Sequence, residues 1–183
     1  AGIFNGLGSE VTQLYRGEQI LRGFDHHVQA MVAQEIVKKG INLKTNANPA
    51  KIEKVGDILN VTLEDGSVLE ADAIMYATGR RPNTTGMGLE KVGVKLKPNG
   101  AIAVDGYSKT SVDNIYAIGD VTDRVALTPV AIHEGMAFAD TVFAGKPRAF
   151  DHGDVPSAVF SQPPVGTVGL SEADARAKYG DVD

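Results

Sequence analysis

The spacing of apolar residues changes period several times along this chain, and each change marks an element. AGIFNGLG, residues 1 to 8, reads as a helix already under way that Gly8 closes. Val11 to Tyr15 then alternates as a strand does. Val28, Met31, Val32, Ile36 and Val37 fall at helical spacing, predicting a helix over Asp25 to Lys39 with Gly40 as its stop. Asn42 to Thr45 is a short strand. Lys51 to Val55, Asn60 to Leu63 and Val68 to Glu70 predict a meander, its last two strands joined at Glu64-Asp65-Gly66-Ser67. Ala73 to Tyr76 is expected to be a buried strand ending at Thr78-Gly79. Further on, Ile115 to Ile118 predicts a strand and Pro129 to Ala144 a helix. Ser157 to Glu172 predicts two strands about Pro163-Pro164, followed by a helix with Ser171 as N-cap.

This order of elements is that of a dinucleotide-binding α/β domain lacking its first strand. Three segments are expected: residues 1–79, residues 80–151 and residues 152–183. Composition narrows the function. A net charge of −5 leaves no basic footprint for nucleic acid, and no apolar run approaches a membrane span. The chain has no cysteine, which excludes disulfides and thiol chemistry within these residues. A cytoplasmic setting is expected.

Candidate chemistry gathers at strand ends. Ligands of open α/β sheets bind outside the carboxyl ends of the strands, and Ile115 to Ile118 runs out into Gly119-Asp120. Glycine lets backbone approach a ligand closely, and the Asp120 carboxylate accepts hydrogen bonds from hydroxyls. The earlier strand runs into Tyr15-Arg16-Gly17-Glu18, with Arg22 beyond. An NAD site of this fold carries an acidic residue at that point. Arg16 and Arg22 instead suit a 2′-phosphate through charge-assisted hydrogen bonds, with Glu18 opposing. Thr128-Pro129 forms a helix start, Thr128 as cap, whose free N–H groups favour negative charge. His26, His27, His133 and His152 form no metal-ligand spacing, and surface or capping roles are expected for all four.

The phrases YRGEQILRGFD, ATGRRPNT, NIYAIGDVTDRVALTPVAIHEG and VFSQPPVGTVGLSE resemble the FAD-dependent pyridine nucleotide–disulfide oxidoreductases, the glutathione reductase group above all. The resemblance covers essentially the whole chain. It implies an α/β fold: incomplete Rossmann-like FAD- and NAD(P)-binding domains, then the start of an α+β dimerisation domain. It implies that Arg16 and Arg22 select NADPH, that Gly79 and Arg80 line its nicotinamide side, and that Asp120 and Thr128 hold FAD. The implied partners are oxidised glutathione and a second copy of the chain. The redox cysteine pair, both Gly-rich loops and the catalytic histidine of the group are absent from these residues, so the chain reads as part of a longer enzyme, inactive alone. Met136 stands where many glutathione reductases carry an arginine. A trypanothione reductase-like enzyme, another flavin disulfide reductase or flavin diaphorase, and a non-catalytic nucleotide-binding or dimerising module stay open.

Overall fold

The computed structural model describes residues 1–182. Two compact units divide it: residues 1–76 together with the segment from Pro156 onward, and Ala77–Val155. In the first unit, helix α1 (Gly2–Gly6) ends before Gly8, which turns the chain at φ +92°. Strand β1 (Thr12–Leu14) lies parallel to β2 (Asn42–Lys44), in register from Thr12 with Asn42 to Leu14 with Lys44. Parallel neighbours need a crossover, and α2 (His26–Lys38) supplies it.

Asp25 caps α2, its side chain accepting the His27 N–H at 2.8 Å, and a cap of this kind contributes about 1 kcal/mol. Lys39 closes the helix, and Gly40 follows at φ +93°. The buried face of α2 sets Val32 and Ile36 against Ile20 and Ile41, with Val11, Tyr15 and Leu43 around them. Each such aliphatic side chain stabilises the unit by roughly 1.5–3 kcal/mol.

The meander forms as β3 (Pro49–Val55), β4 (Ile58–Leu63) and β5 (Val68–Ala71), antiparallel, with β4 central. Val61 stands across from Ile52 on one side and Leu69 on the other. The Asp65 carboxylate closes the tight turn by accepting from the Ser67 N–H and hydroxyl at 2.9 and 2.7 Å. The segment from Pro156 contributes the hairpin β6 (Ser157–Val159) and β7 (Val165–Thr167), then α4 (Glu172–Tyr179). The predicted Ser171 cap is formed: its oxygen accepts the Asp174 N–H at 3.2 Å.

The second unit packs around Val94, Ile102 and Ala117. Among the described residues its β-structure is two isolated antiparallel bridges, Leu96 with Ile102 and Lys109 with Tyr116. A 3-10 turn, Gly119–Thr122, leads toward helix α3 (Thr128–Val142).

Three local expectations are corrected. Ala73 to Tyr76 is neither a strand nor buried, with Met75 73% and Tyr76 67% exposed. Ile115 to Ile118 makes one bridge, at Tyr116, instead of a strand. The reason is the same in both cases. A strand exists only with a hydrogen-bonding neighbour, and among the described residues no continuous ladder runs along either segment. The third is the helix start. Leu127, extended at φ −130°, is the N-cap of α3, so Thr128 is its first helical residue and no side chain caps it.

Candidate functional site

In the first unit, β1 delivers the chain into a loop that carries both predicted arginines. Ile20, 5% exposed, anchors this loop in the core. Leu21 adopts φ +59° and Gly23 φ +92°, so Arg22 sits between two left-handed residues. The buried Gln29 of α2 holds them. Its Nε2 donates to the Leu21 carbonyl at 3.1 Å and to the Phe24 carbonyl at 2.8 Å. With the backbone pinned on both sides, the Arg22 side chain is left at the surface.

An open cavity of about 430 Å³ lies there, lined by Tyr15, Glu18, Arg22, His26, Ser171 and Asp174 among others. Arg22 and Glu18 put opposite charges on its walls. Asp174 is engaged by the Ser171 hydroxyl at 2.6 Å. Arg16 is exposed and lies outside the lining, so the structure places one of the two predicted guanidinium groups on this cavity. Among the described residues, Arg16 and Arg22 form no ion pair with a carboxylate. The unpaired Arg22 guanidinium on a cavity of this size fits a phosphorylated nucleotide.

Asp25 links this region to α4. Its other oxygen accepts the Glu172 N–H at 3.0 Å. That bond first, then the His27 N–H, holds the Asp25 carboxyl below its ordinary value of 3.8. His27 lies at the surface, its Nδ1 3.6 Å from Glu172.

In the second unit, Gly119 turns the chain at φ +69° and packs against α3 so closely that a Cβ would lie 3.0 Å from that of Ala131. A side chain there would be strained and would push the turn off the helix. Asp120 follows with its carboxylate about half exposed. Arg80 meets it, Nε to Oδ2 at 3.8 Å. The structure thus joins two residues that the sequence assigned to different cofactors. The pair is exposed and weak. Gly79, at φ +111°, has open space on its side-chain face, and Thr128 is exposed at the uncapped start of α3. A half-free carboxylate beside uncapped helix amides fits a ligand that carries hydroxyls and a polar ring edge.

Sequence reasoning missed the group beneath this turn. Glu134 of α3 is 1% exposed. Its Oε2 accepts the Gly119 N–H at 2.5 Å. Its Oε1 is 2.9 Å from Arg124 Nη2 and 2.6 Å from His152 Nε2. His152, expected at the surface or as a cap, is instead three-quarters buried against this carboxylate. His133 stacks on Phe150 at 5.8 Å, and Phe150 meets the His152 ring edge-on at 4.9 Å. One signal was available: Val130, Glu134 and Ala137 recur at i, i+4 and i+7 and are the buried face of α3. An acid in the middle of an apolar stripe is a residue with a partner.

The profile of the pyridine nucleotide-disulphide oxidoreductases matches residues 1–135. The chain is 56% identical over its whole length to a glutathione reductase of Burkholderia cepacia, of which it covers 41%. It is 50% identical over 98% of its length to a trypanothione reductase of Trypanosoma congolense, covering 37% of that protein. Among solved structures, the HOCl-induced flavoprotein disulfide reductase RclA of Escherichia coli superposes with a TM-score of 0.92 at 30% identity. All of this chain and 42% of RclA are covered. The chain therefore spans less than half the length of these relatives, and along that span it belongs to the pyridine nucleotide-disulphide oxidoreductase family.

Proposed function

We propose that the protein serves the NADPH-dependent reduction of glutathione disulfide as an FAD enzyme. The observation that carries this reading is the Gly119-Asp120 turn, where Gly119 packs closely on α3 and the Asp120 carboxylate stays half exposed, paired only weakly with Arg80. It is supported by the 56% identity of the whole chain to 41% of a glutathione reductase. Asp120 would hold FAD through its hydroxyls, with Thr128 and the uncapped amides of α3 beside it. Arg22 and Arg16 would grip the 2′-phosphate of NADPH, with Gly79 and Arg80 as further contacts. Bound FAD supplies a two-electron acceptor for the hydride of NADPH. The electrons then reduce glutathione disulfide to two thiols, with one proton drawn from solvent. No cysteine is present here, so the redox disulfide of this scheme would come from outside these 183 residues.

Trypanothione disulfide is the second substrate to weigh. Met136, about half exposed on α3, offers no charge to a glutathione carboxylate, and a trypanothione reductase is 50% identical. A homodimer is proposed from the β6–α4 segment, where Phe160 is 96%, Val168 60% and Leu170 50% exposed. A cytoplasmic setting is proposed because the glutathione pool buffers thiols there. Among the described residues, no helix is long and apolar enough to cross a membrane.

The test uses the natural polypeptide. Flavin absorbance and NADPH-driven turnover of glutathione disulfide are expected, both lost in Asp120→Ala. The double variant Arg16→Glu/Arg22→Ala is expected to lose the preference for NADPH over NADH. A colourless protein that binds nucleotide without turnover would instead make it a non-catalytic module. A higher kcat/KM on trypanothione disulfide would reassign the substrate.

A further inference from the structure

We propose that Glu134 is a positioning residue for FAD, its buried carboxylate fixing the Gly119-Asp120 turn before the cofactor arrives. This rests on the FAD reading of Asp120 given above. The argument begins with the backbone. The residues before Gly119 form a single bridge, so no β-ladder orients this turn. Glu134 Oε2 fixes its start by accepting the Gly119 N–H, while the Ile102 N–H and Lys97 Nζ donate to the Val121 and Thr122 carbonyls further along.

The far end of the same turn is tied to the same carboxylate through Arg124. Arg124 Nη2 meets Glu134 Oε1 at 2.9 Å, while its Nε donates to the Thr122 hydroxyl at 3.2 Å. Thr122 is fully buried, and its hydroxyl donates back to the Gly119 carbonyl at 2.8 Å. A second bond from Arg124 Nη2, to the Ser108 hydroxyl at 3.1 Å, anchors the guanidinium. His152 completes the set on Oε1, with its hydrogen on Nε2. The clamp thus takes residues 119 and 122 and leaves Asp120, between them, with its carboxylate facing outward.

A carboxylate this buried is tolerated only when charge and lone pairs are matched. Here each oxygen has its donor, and Arg124 balances the charge. Holding the turn in advance removes the ordering cost from FAD binding, and that cost is what limits affinity at a flexible site. Glutamine at 134 keeps the size but cannot serve both sides. Whichever way its amide is turned, an NH2 group faces either the Gly119 N–H or the Arg124–His152 pair.

The experiment compares the natural polypeptide with Glu134→Gln, measuring amide exchange at Gly119 with FAD removed and the dissociation constant for FAD. Ala137→Gly, on the same buried face of α3 but past its uncapped first turn, is the control for plain destabilisation. The expected result is exchange at Gly119 faster by at least about tenfold and an FAD dissociation constant raised about 10- to 100-fold in Glu134→Gln. Ala137→Gly, though destabilised, should keep both near wild type. Unchanged exchange at Gly119 overturns the clamp. Faster exchange with unchanged FAD affinity, while Asp120→Ala still loses FAD, overturns the positioning role alone. Wild-type protein that binds no FAD overturns the FAD reading and the positioning role with it. If Glu134→Gln does not fold, His152→Gln and Arg124→Met decide. Each should raise the FAD dissociation constant about three- to tenfold, and wild-type affinity in both overturns the proposal.

Discussion

The Arg22 loop and the Gly119–Thr122 turn solve one problem by opposite means. In each, one buried polar residue of the helix that follows holds the backbone beside an exposed charged side chain, Arg22 or Asp120. Gln29 holds the first as a donor, to the carbonyls on either side of Arg22. Glu134 holds the second as an acceptor, from the Gly119 N–H. The difference lies in what each clamp must bring along. A neutral amide with its donors satisfied can be buried alone, whereas a carboxylate needs a counter-ion. Glu134 accordingly draws in Arg124 and His152, which bind it to two further stretches of the unit. The charged clamp is therefore the more costly to damage.

The largest effect is expected from Glu134→Ala. It would strand the Arg124 guanidinium and leave the Gly119 N–H without a partner, costing about 3–5 kcal/mol in a denaturant melt. A loss under about 1 kcal/mol would mean that water replaces the carboxylate without penalty, and the contrast between the clamps would collapse. Gln29→Leu should cost less, about 1–3 kcal/mol, because it takes a donor from two neutral carbonyls, one of which keeps the Phe24 N–H, and strands no charge. It should also raise the KM for NADPH more than it lowers kcat, since the loop carrying Arg22 loosens. Equal losses for the two variants would refute the distinction drawn here.

The smallest effect concerns Asp25, the cap that also accepts from Glu172. Its carboxyl is held below its ordinary value, so folding favours the ionised form. Stability from this group is present above the ordinary carboxylate range and is lost as pH falls through the lowered folded value, below 3.8. Asp25→Asn should therefore unfold slightly sooner than wild type at neutral pH and match it near pH 2. A gap that persisted at pH 2 would show that the hydrogen-bond geometry, and not the charge, supplies the tether.

The elements closest to self-sufficient were the most legible. Helix α2, the Asp65 turn and the Ser171 cap are local events, decided by residues within four positions of each other. Ala73 to Tyr76 was misread because an apolar run becomes a strand only beside another strand. The Thr128 cap was misplaced by one residue, since backbone geometry at Leu127, not side-chain type, starts α3.

By itself, then, the sequence determined the periodic elements, the family and the exposed charged residues, Arg16, Arg22 and Asp120. These depend on spacing along the chain and on side-chain chemistry. Tertiary structure alone decided that Arg80 meets Asp120, that Arg22 and not Arg16 lines the cavity, and that Glu134, Arg124 and His152 come together. Those pairings join residues 10 to 40 positions apart, and only folding brings them into range of a hydrogen bond or an ion pair. A buried acid announces that it has a partner; the packed fold names which one.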